Sequence, residues 1–522
     1  MSQKRKKITL IIALCVLVLT VLLFVGQAIV KNKIKAAVVN LPESMALDYQ
    51  DIELNLLTGH INLEAPSLKV TGKTTGKVNA TIAMTAFSVS GFSYWDYMIN
   101  DKIAVKTIDF KDPKITYYHN ALVSTETGGQ SVMDNLKQML RADNLTISNA
   151  NLVIFDRAND SLIVKAEKLD FAITEFVMDP NSDFKVPFVF NNSILNGTNL
   201  KYKAGVFETI TVDDFTLDNN NVSIEGFSLK TNYTKEELSK VITAERDHFD
   251  LRIPKIEIQN QKVTFENNKI NGFSSDKLVI NLPVFNIYRD KLVVDDLTLK
   301  PLYSKMLRDL DFKLQVKEVD IVDGVIIYEE KVKQDHDAGQ LHFKRFNGQL
   351  KNVGNGYQLP NQTTIALDCI FMESTPLAVN WAFDVANKTD NFVFKAELGK
   401  LKAAHLNPFM QPNLNLKLEG DLIKTYFTID GNSNTSTVNL KTKYTNFDII
   451  ILKDNGKEKN KLLSGIINLF VSKNSSNQPD NFRDSDTKTV TRDSTKSIFN
   501  FVWKNTQAGL ISAMAGDGAK DE

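Results

Sequence analysis

The sequence predicts a mainly β protein of antiparallel strands behind one N-terminal transmembrane helix. Three observations carry this. Polar and apolar residues alternate with period two over most of 41–455, as in Lys106-Thr-Ile-Asp-Phe-Lys, Lys255-Ile-Glu-Ile-Gln and Lys317-Glu-Val-Asp-Ile. Successive side chains of a strand point to opposite faces, so alternation implies one buried and one solvated face. Antiparallel sheets tolerate that arrangement and parallel βαβ sheets do not. The second observation is a recurring phrase: apolar, any, apolar, four turn-type residues, apolar, any, apolar. The third is an almost unbroken hydrocarbon stretch near the start of the chain.

Residues 1–7 form a short basic tail, with Lys4, Arg5, Lys6 and Lys7 before the hydrocarbon stretch. Residues 8–30 then read as a transmembrane anchor, broken only by Thr9, Thr20, Gly26 and Gln27. At about 1.5 Å per residue such a run spans the roughly 30 Å apolar core of a bilayer. The leading basic cluster favours a cytoplasmic N-terminus and a body outside the cytoplasm. Gly26-Gln27-Ala28 resembles a signal-cleavage site. The length of the run and the lysines at 31, 33 and 35 argue instead for an uncleaved anchor.

The β-rich body is expected over 31–455. Strict copies of the phrase fall at Ile108, Phe110, Ile115, Tyr117; at Phe215, Leu217, Val222, Ile224; and at Ile256, Ile258, Val263, Phe265. Looser copies fall at Leu54, Leu56, Ile61, Leu63; at Leu145, Ile147, Leu152, Ile154; and at Val319, Ile321, Ile326, Tyr328. Each copy reads as a β-hairpin with one apolar and one wet face. Short helices interrupt the strands. Thr234-Lys-Glu-Glu237 is a capping box, and Val132, Leu136, Met139 and Tyr303, Met306, Leu310 have helical spacing.

Residues 456–522 change character. Leu462, Leu463, Ile466, Ile467 and Phe470 form a helical stripe too short to cross a bilayer. The stretch 473–495 is rich in Ser, Asn, Asp, Thr and Lys and reads as a flexible linker. Residues 497–514 read as a second, partly amphipathic helix. It either meets a membrane surface or partner, or packs back on the sheet.

Composition narrows function. Lys+Arg and Asp+Glu both number 62, so there is no basic excess to hold nucleic acid. Phe is frequent, at 31 against 3 Trp, which suits core or acyl-chain contact. Cys15 and Cys369 are far apart in the sequence and have no metal-ligand spacing, so both read as small buried hydrophobes. Thr71-Gly72-Lys73-Thr74 holds the core of a phosphate loop. The glycine that motif needs five residues earlier is Ser67 here, so the segment reads as a turn. Asp335-His336-Asp337 with His342 lies in a polar loop and reads as solvated. No nucleophile elbow, zinc helix or kinase set is present, so neither catalytic residues, a metal nor a cofactor is expected.

Several segments together resemble the AsmA-like family of Gram-negative envelope proteins. They are the anchor; Tyr49-Gln-Asp-Ile-Glu-Leu-Asn-Leu-Leu-Thr-Gly-His-Ile-Asn-Leu; Tyr303-Ser-Lys-Met-Leu-Arg-Asp-Leu; and Asp320-Ile-Val-Asp-Gly-Val-Ile-Ile-Tyr-Glu-Glu. Leu406-Asn-Pro-Phe409 and Lys443-Tyr-Thr-Asn-Phe-Asp-Ile-Ile-Ile-Leu-Lys complete the set. The similarity covers most of the chain, through hydrophobic patterns rather than functional signatures. It implies an elongated, curved, taco-like β-groove in the periplasm, held by a single-pass inner-membrane anchor. It also implies phospholipid as cargo and a role in outer-membrane assembly, with no catalytic residues. On this reading Phe110, Ile115, Tyr117, Ile147, Ile154, Phe215, Ile258, Phe265, Ile321 and Tyr328 face acyl chains. The alternative is a non-enzymatic scaffold for envelope-assembly proteins, in which the same apolar faces close on each other.

Overall fold

The computed structural model describes residues 25–36, 38–72, 75–120, 138–179, 188–266, 269–453, 473–475 and 482–514. The expected anchor at 8–30, Cys15 and the stripe at 462–470 lie wholly or mostly outside them. Among the described residues no helix is long and apolar enough to cross a membrane. Residues 25–36 are helical.

The protein is mainly β, and the alternating segments become strands. The chain forms two compact units. One compact unit comprises 1–203 with 211–219, and the other comprises 204–210 with 220–522.

The hairpin reading of the phrase holds at Leu54–Leu63, where Asp51–Asn55 folds back on His60–Glu64 with Leu54 opposite Ile61. At 215–224 the chain likewise turns within two residues, between Glu208–Asp218 and Asn221–Thr231. The other four copies are not hairpins but continuous strands that cross a crease. Lys102–Lys111 and Lys114–His119 run in one direction along the same partner, Met139–Asp156. That partner contains a second copy, unbroken except at Asn149, whose φ is 55°. Lys313–Lys331 passes straight through its copy, with Asp323 at φ 50°. Asp247–Gln259 and Lys262–Glu266 both run antiparallel to Lys269–Asn281 with register kept across Asn260, at φ 52°.

The physical reason lies in parity. Phe110 and Ile115 are five apart, so a straight strand would send them to opposite faces. A single extra residue in the left-handed region forms a β-bulge and restores the face. Asp, Asn and Gly suit that conformation as well as they suit a hairpin turn, so the same residue types serve both.

These bulges line up. In the first unit the crease passes Ala65-Pro66, Met84-Thr85, Asp112-Pro113 and Asn149. Backbone hydrogen bonds stitch it: Ala65 N to Thr85 O at 3.0 Å, Thr85 N to Lys111 O at 3.0 Å, and Asp112 N to Ser148 O at 2.9 Å. In the second unit it passes Gly226, Pro254, Leu282-Pro283, Asp323-Gly324 and Arg345. Proline has no amide to offer a ladder, so it fits where the ladder is already interrupted.

The sheet is not purely antiparallel. Lys102–His119 lies parallel to Met139–Asp156, and Lys269–Asp290 lies parallel to Lys313–Lys331. Each parallel pair requires a crossover, because the chain must return to the end from which it started. The second crossover contains the helix Tyr303–Arg308. The Thr234 capping box opens the helix Lys235–Val241, as its spacing predicts. Of the third expected helix, Val132 and Leu136 lie outside the described residues, and Met139 opens a strand instead. Tyr94–Ile99 and Asn407–Leu414 are helices that the spacing did not announce.

Part of the stretch read as a linker is structured. Lys488–Thr491 pairs with Thr435–Val438, and Arg483–Asp484 pairs with Lys441–Thr442. The helix Ile498–Met514 packs back on the second unit. Ile498 and Phe501 are buried with Trp381, Phe392, Phe394, Ile429 and Val438, while Met514 joins Leu401, Leu422 and Tyr444. Gly509 permits the approach: a β-carbon there would stand 2.8 Å from Leu440 Cβ.

Candidate functional site

The strand registers assemble the apolar positions into rows that cross the strands. In the first unit, one row runs Ile52, Leu63, Phe87, Phe110, Ile147, Phe171. Beyond the crease another runs Met45, Val70, Ala80, Tyr117, Ile154, Val164. Cross-strand apolar partners of this kind are the unit of sheet stabilisation. The rings of Phe87 and Phe110 meet at a tilt of 49° with centroids 5.0 Å apart. The alternate positions form the wet face, where Asn62 bonds Glu53 and Thr146 bonds Asp109.

In the second unit one row crosses ten strand segments: Val222, Ile258, Leu278, Val319, Leu350, Ile365, Trp381, Phe394, Ile429, Val438. Its two ends differ. Trp381, Phe394, Ile429 and Val438 are buried beneath Phe501, Ile498 and Leu302. Val222, Ile258, Leu278 and Leu350 are half-buried, although the same strand alternation produces them; between them Val319 is buried, and Ile365 borders the covered cluster. The covering, not the sheet, makes the difference.

The covered end is fastened by polar contacts. Asn505 is fully buried; its side chain accepts from Ser436 Oγ at 2.8 Å and donates to Phe501 O at 2.8 Å. Lys300 N donates to Ser494 O at 2.7 Å, and Lys496 reaches Asp295 at 3.0 Å and Glu245 at 3.4 Å. Arg308 and Ser304 both donate to the buried Asp390, at 2.8 and 2.9 Å.

The ten positions expected to face acyl chains fall as follows. Phe110 and Ile147 are register partners, as are Tyr117 and Ile154, while Ile115 pairs with Leu152. The Phe215 ring fills the place that a side chain at Gly197 would occupy. Ile258 lies between Val222 and Leu278, and Ile321 between Ile280 and Gly348. Tyr328 lies between Ile287 and Leu341, with its hydroxyl donating to Glu330 at 2.7 Å. Burial, reinforced by Glu330, raises the Tyr328 phenol well above its ordinary value, so it stays a neutral donor. Beside it, Arg289 grips Asp247 through two bonds of 2.7 Å. Phe265 departs from the group: it is 63% exposed and opposite Ile270, at the far end of its strand. None of the ten is fully buried; Tyr117 and Phe265 are exposed and the rest are half-buried.

The sequence reading missed the row members between the phrases, among them Leu278, Leu350 and Ile365, which alternation alone marks. Of the two readings of 497–514, the one in which the helix packs back on the sheet holds, and Phe501 is its buried centre.

Among the described residues, no three His, Cys, Asp or Glu side chains converge. Asp335 and His336 bond each other at 3.0 Å in their loop. Cys369 is buried, and desolvation pushes its thiol up to about 12. A cavity of about 890 Å³ is lined by the register row Thr364, Ala382, Val393, Asp430, Thr437 and, from the apolar side, by Trp381, Phe383 and Phe392. No protein-family model and no curated protein matches this chain.

Proposed function

We propose that this protein is a membrane-tethered carrier of phospholipid acyl chains, acting without catalysis in the periplasm during outer-membrane biogenesis. One observation supports it most: apolar rows that are sealed by the helix Ile498–Met514 at one end remain half-exposed at the other. A sheet meant only as a scaffold core gains nothing by leaving Ile, Leu and Phe partly wet. Each acyl methylene laid on such a face and removed from water contributes about 0.8 kcal/mol, so eight give roughly 6 kcal/mol. In this reading the aligned creases fold the apolar face of each unit into a groove. The wet face stays outward, and no specific headgroup contact is needed.

The test is lipid retention. The full chain, produced in a Gram-negative host and extracted in mild detergent, carries phospholipid detectable by mass spectrometry after gel filtration. A photo-crosslinking residue at Ile147 or Ile321 captures lipid in cells. Protein that is lipid-free, and that crosslinks at these positions only to other proteins, overturns the carrier and establishes the scaffold.

A further inference from the structure

We infer that one end of the first unit rests in the headgroup layer of a bilayer through a rim of exposed aromatic and aliphatic side chains. This deepens the tethered-carrier reading and rests on its membrane anchor.

The registers place several connections at one end of the strands. They are the turn 56–59, the segment 91–101, the start of Met139–Asp156 and the end of Leu162–Met178. Phe92 N donates to Gly59 O at 3.2 Å, which joins the first two. At this end Leu57 is 76% and Trp95 72% exposed, and Tyr94, Tyr97, Ile99 and Val189 are exposed as well. Tyr94, Trp95, Tyr97 and Ile99 belong to a helix of only six residues, Tyr94–Ile99. A helix this short is unstable alone and normally survives by burying an apolar face. Here its support is the Ser93 cap, which accepts from Asp96 N at 3.2 Å, and Phe92 against Tyr94 at 5.1 Å. Large apolar groups gathered this way mark an interaction surface.

The opposite end of the same strands differs. Its turns at 75–77 and 157–160 are built of Thr, Gly, Lys, Arg, Ala, Asn and Asp. Val78, Tyr117 and Tyr202 are exposed there, but on strands; apolar side chains gathered in the connections are a property of the first end.

Chain continuity names the occupant. The helix at 25–36 continues the hydrocarbon stretch 8–30 and arrives at this end: a β-carbon on Gly26 would stand 2.9 Å from Leu56 Cδ1, and Lys31 Nζ meets Asp51 at 2.8 Å. A bilayer that holds the part of that stretch preceding Val25 thus lies beside Trp95 and Leu57. Trp and Tyr prefer the headgroup level, where the ring is shielded and its polar atom stays wet.

The experiment uses the full chain in phosphatidylethanolamine–phosphatidylglycerol vesicles doped with phosphatidylcholine brominated near the headgroup. Wild type is compared with Trp95→Phe, which leaves Trp381 and Trp503 in place. The fluorescence difference between them should be quenched at least twofold by the brominated lipid and blue-shifted relative to water. An unquenched, water-like difference from protein that floats with the vesicles overturns the rim. Protein that does not float overturns both the tether and the rim. Phospholipid retained after gel filtration with no Trp95 quenching overturns the rim alone. Quenching without retained phospholipid supports the rim and overturns the carrier.

Discussion

Ile258 and Ile429 occupy the same apolar row, one half-buried and the other fully buried beneath the C-terminal helix. The pair separates what the sheet needs from what a ligand needs. Ile429→Ala removes methylenes from a closed core and leaves a cavity, which typically costs about 2–5 kcal/mol. Ile258→Ala removes the same atoms from a face already partly in water, so the cost falls to about 1 kcal/mol by area. Ile258→Asp goes further. Its carboxylate can still reach solvent, so the fold survives, but an acyl chain crossing that point loses two to three methylene contacts. That is about 2 kcal/mol, or roughly a thirtyfold weaker hold. Urea unfolding measures the first two variants, and phospholipid retained per protein measures the third. Equal costs for the two alanine variants would refute the difference in covering. Undiminished lipid on folded Ile258→Asp would refute acyl chains on this row.

The C-terminal helix, the crease and the buried thiol each yield a further test. Phe501→Ala should cost about 3–5 kcal/mol, and Asn505→Ala about 1–3 kcal/mol because it leaves the buried Ser436 hydroxyl without its acceptor; denaturant midpoints check both. Asn149, at φ 55°, should tolerate Gly but lose about 1–2 kcal/mol as Val, because a β-branched residue resists the left-handed region. Cys369, with its thiol pushed up to about 12, should resist Ellman's reagent at pH 8 until urea is added, in a Cys15→Ser background. The same shift has a sign: the unfolded thiol ionises from about pH 8.5 while the folded one does not, so its stabilising contribution is complete below that pH. It is lost at up to about 1.4 kcal/mol per pH unit as pH rises toward 12. Cys369→Ala should flatten that slope in unfolding measured between pH 8 and 10; an identical slope refutes the shift.

How much was legible varies by element. The strands were, because alternation at Lys255–Gln259 or Lys317–Ile321 has no other economical explanation. The capping box at Thr234 was, because both partners of its reciprocal bonds lie within four residues. The hairpin at Leu54–Leu63 was too. The creased strands were not. Asp112-Pro113 and Asp323-Gly324 use turn residues to turn a side chain's face rather than the chain's direction, and a phrase with odd spacing fits either outcome. The parallel pairs were hidden for the same reason, since pairing with a strand some forty residues away leaves no local mark. Lys488–Thr491, polar and short, looked like linker because its pairing with Thr435–Val438 supplies the order that its composition lacks.

The sequence by itself determined that the protein is mainly β, that its strands alternate an apolar with a wet side, and that the helix begun at Thr234 would form. All are local consequences of period and capping, written within a few residues of one another. Only the tertiary structure decided which phrases turn and which crease, how the rows align across strands, and where they are covered. Ile258 and Ile429 are indistinguishable in their alternation. What separates them is Phe501, far along the chain, and burial is a property of what lies opposite, which no local pattern encodes.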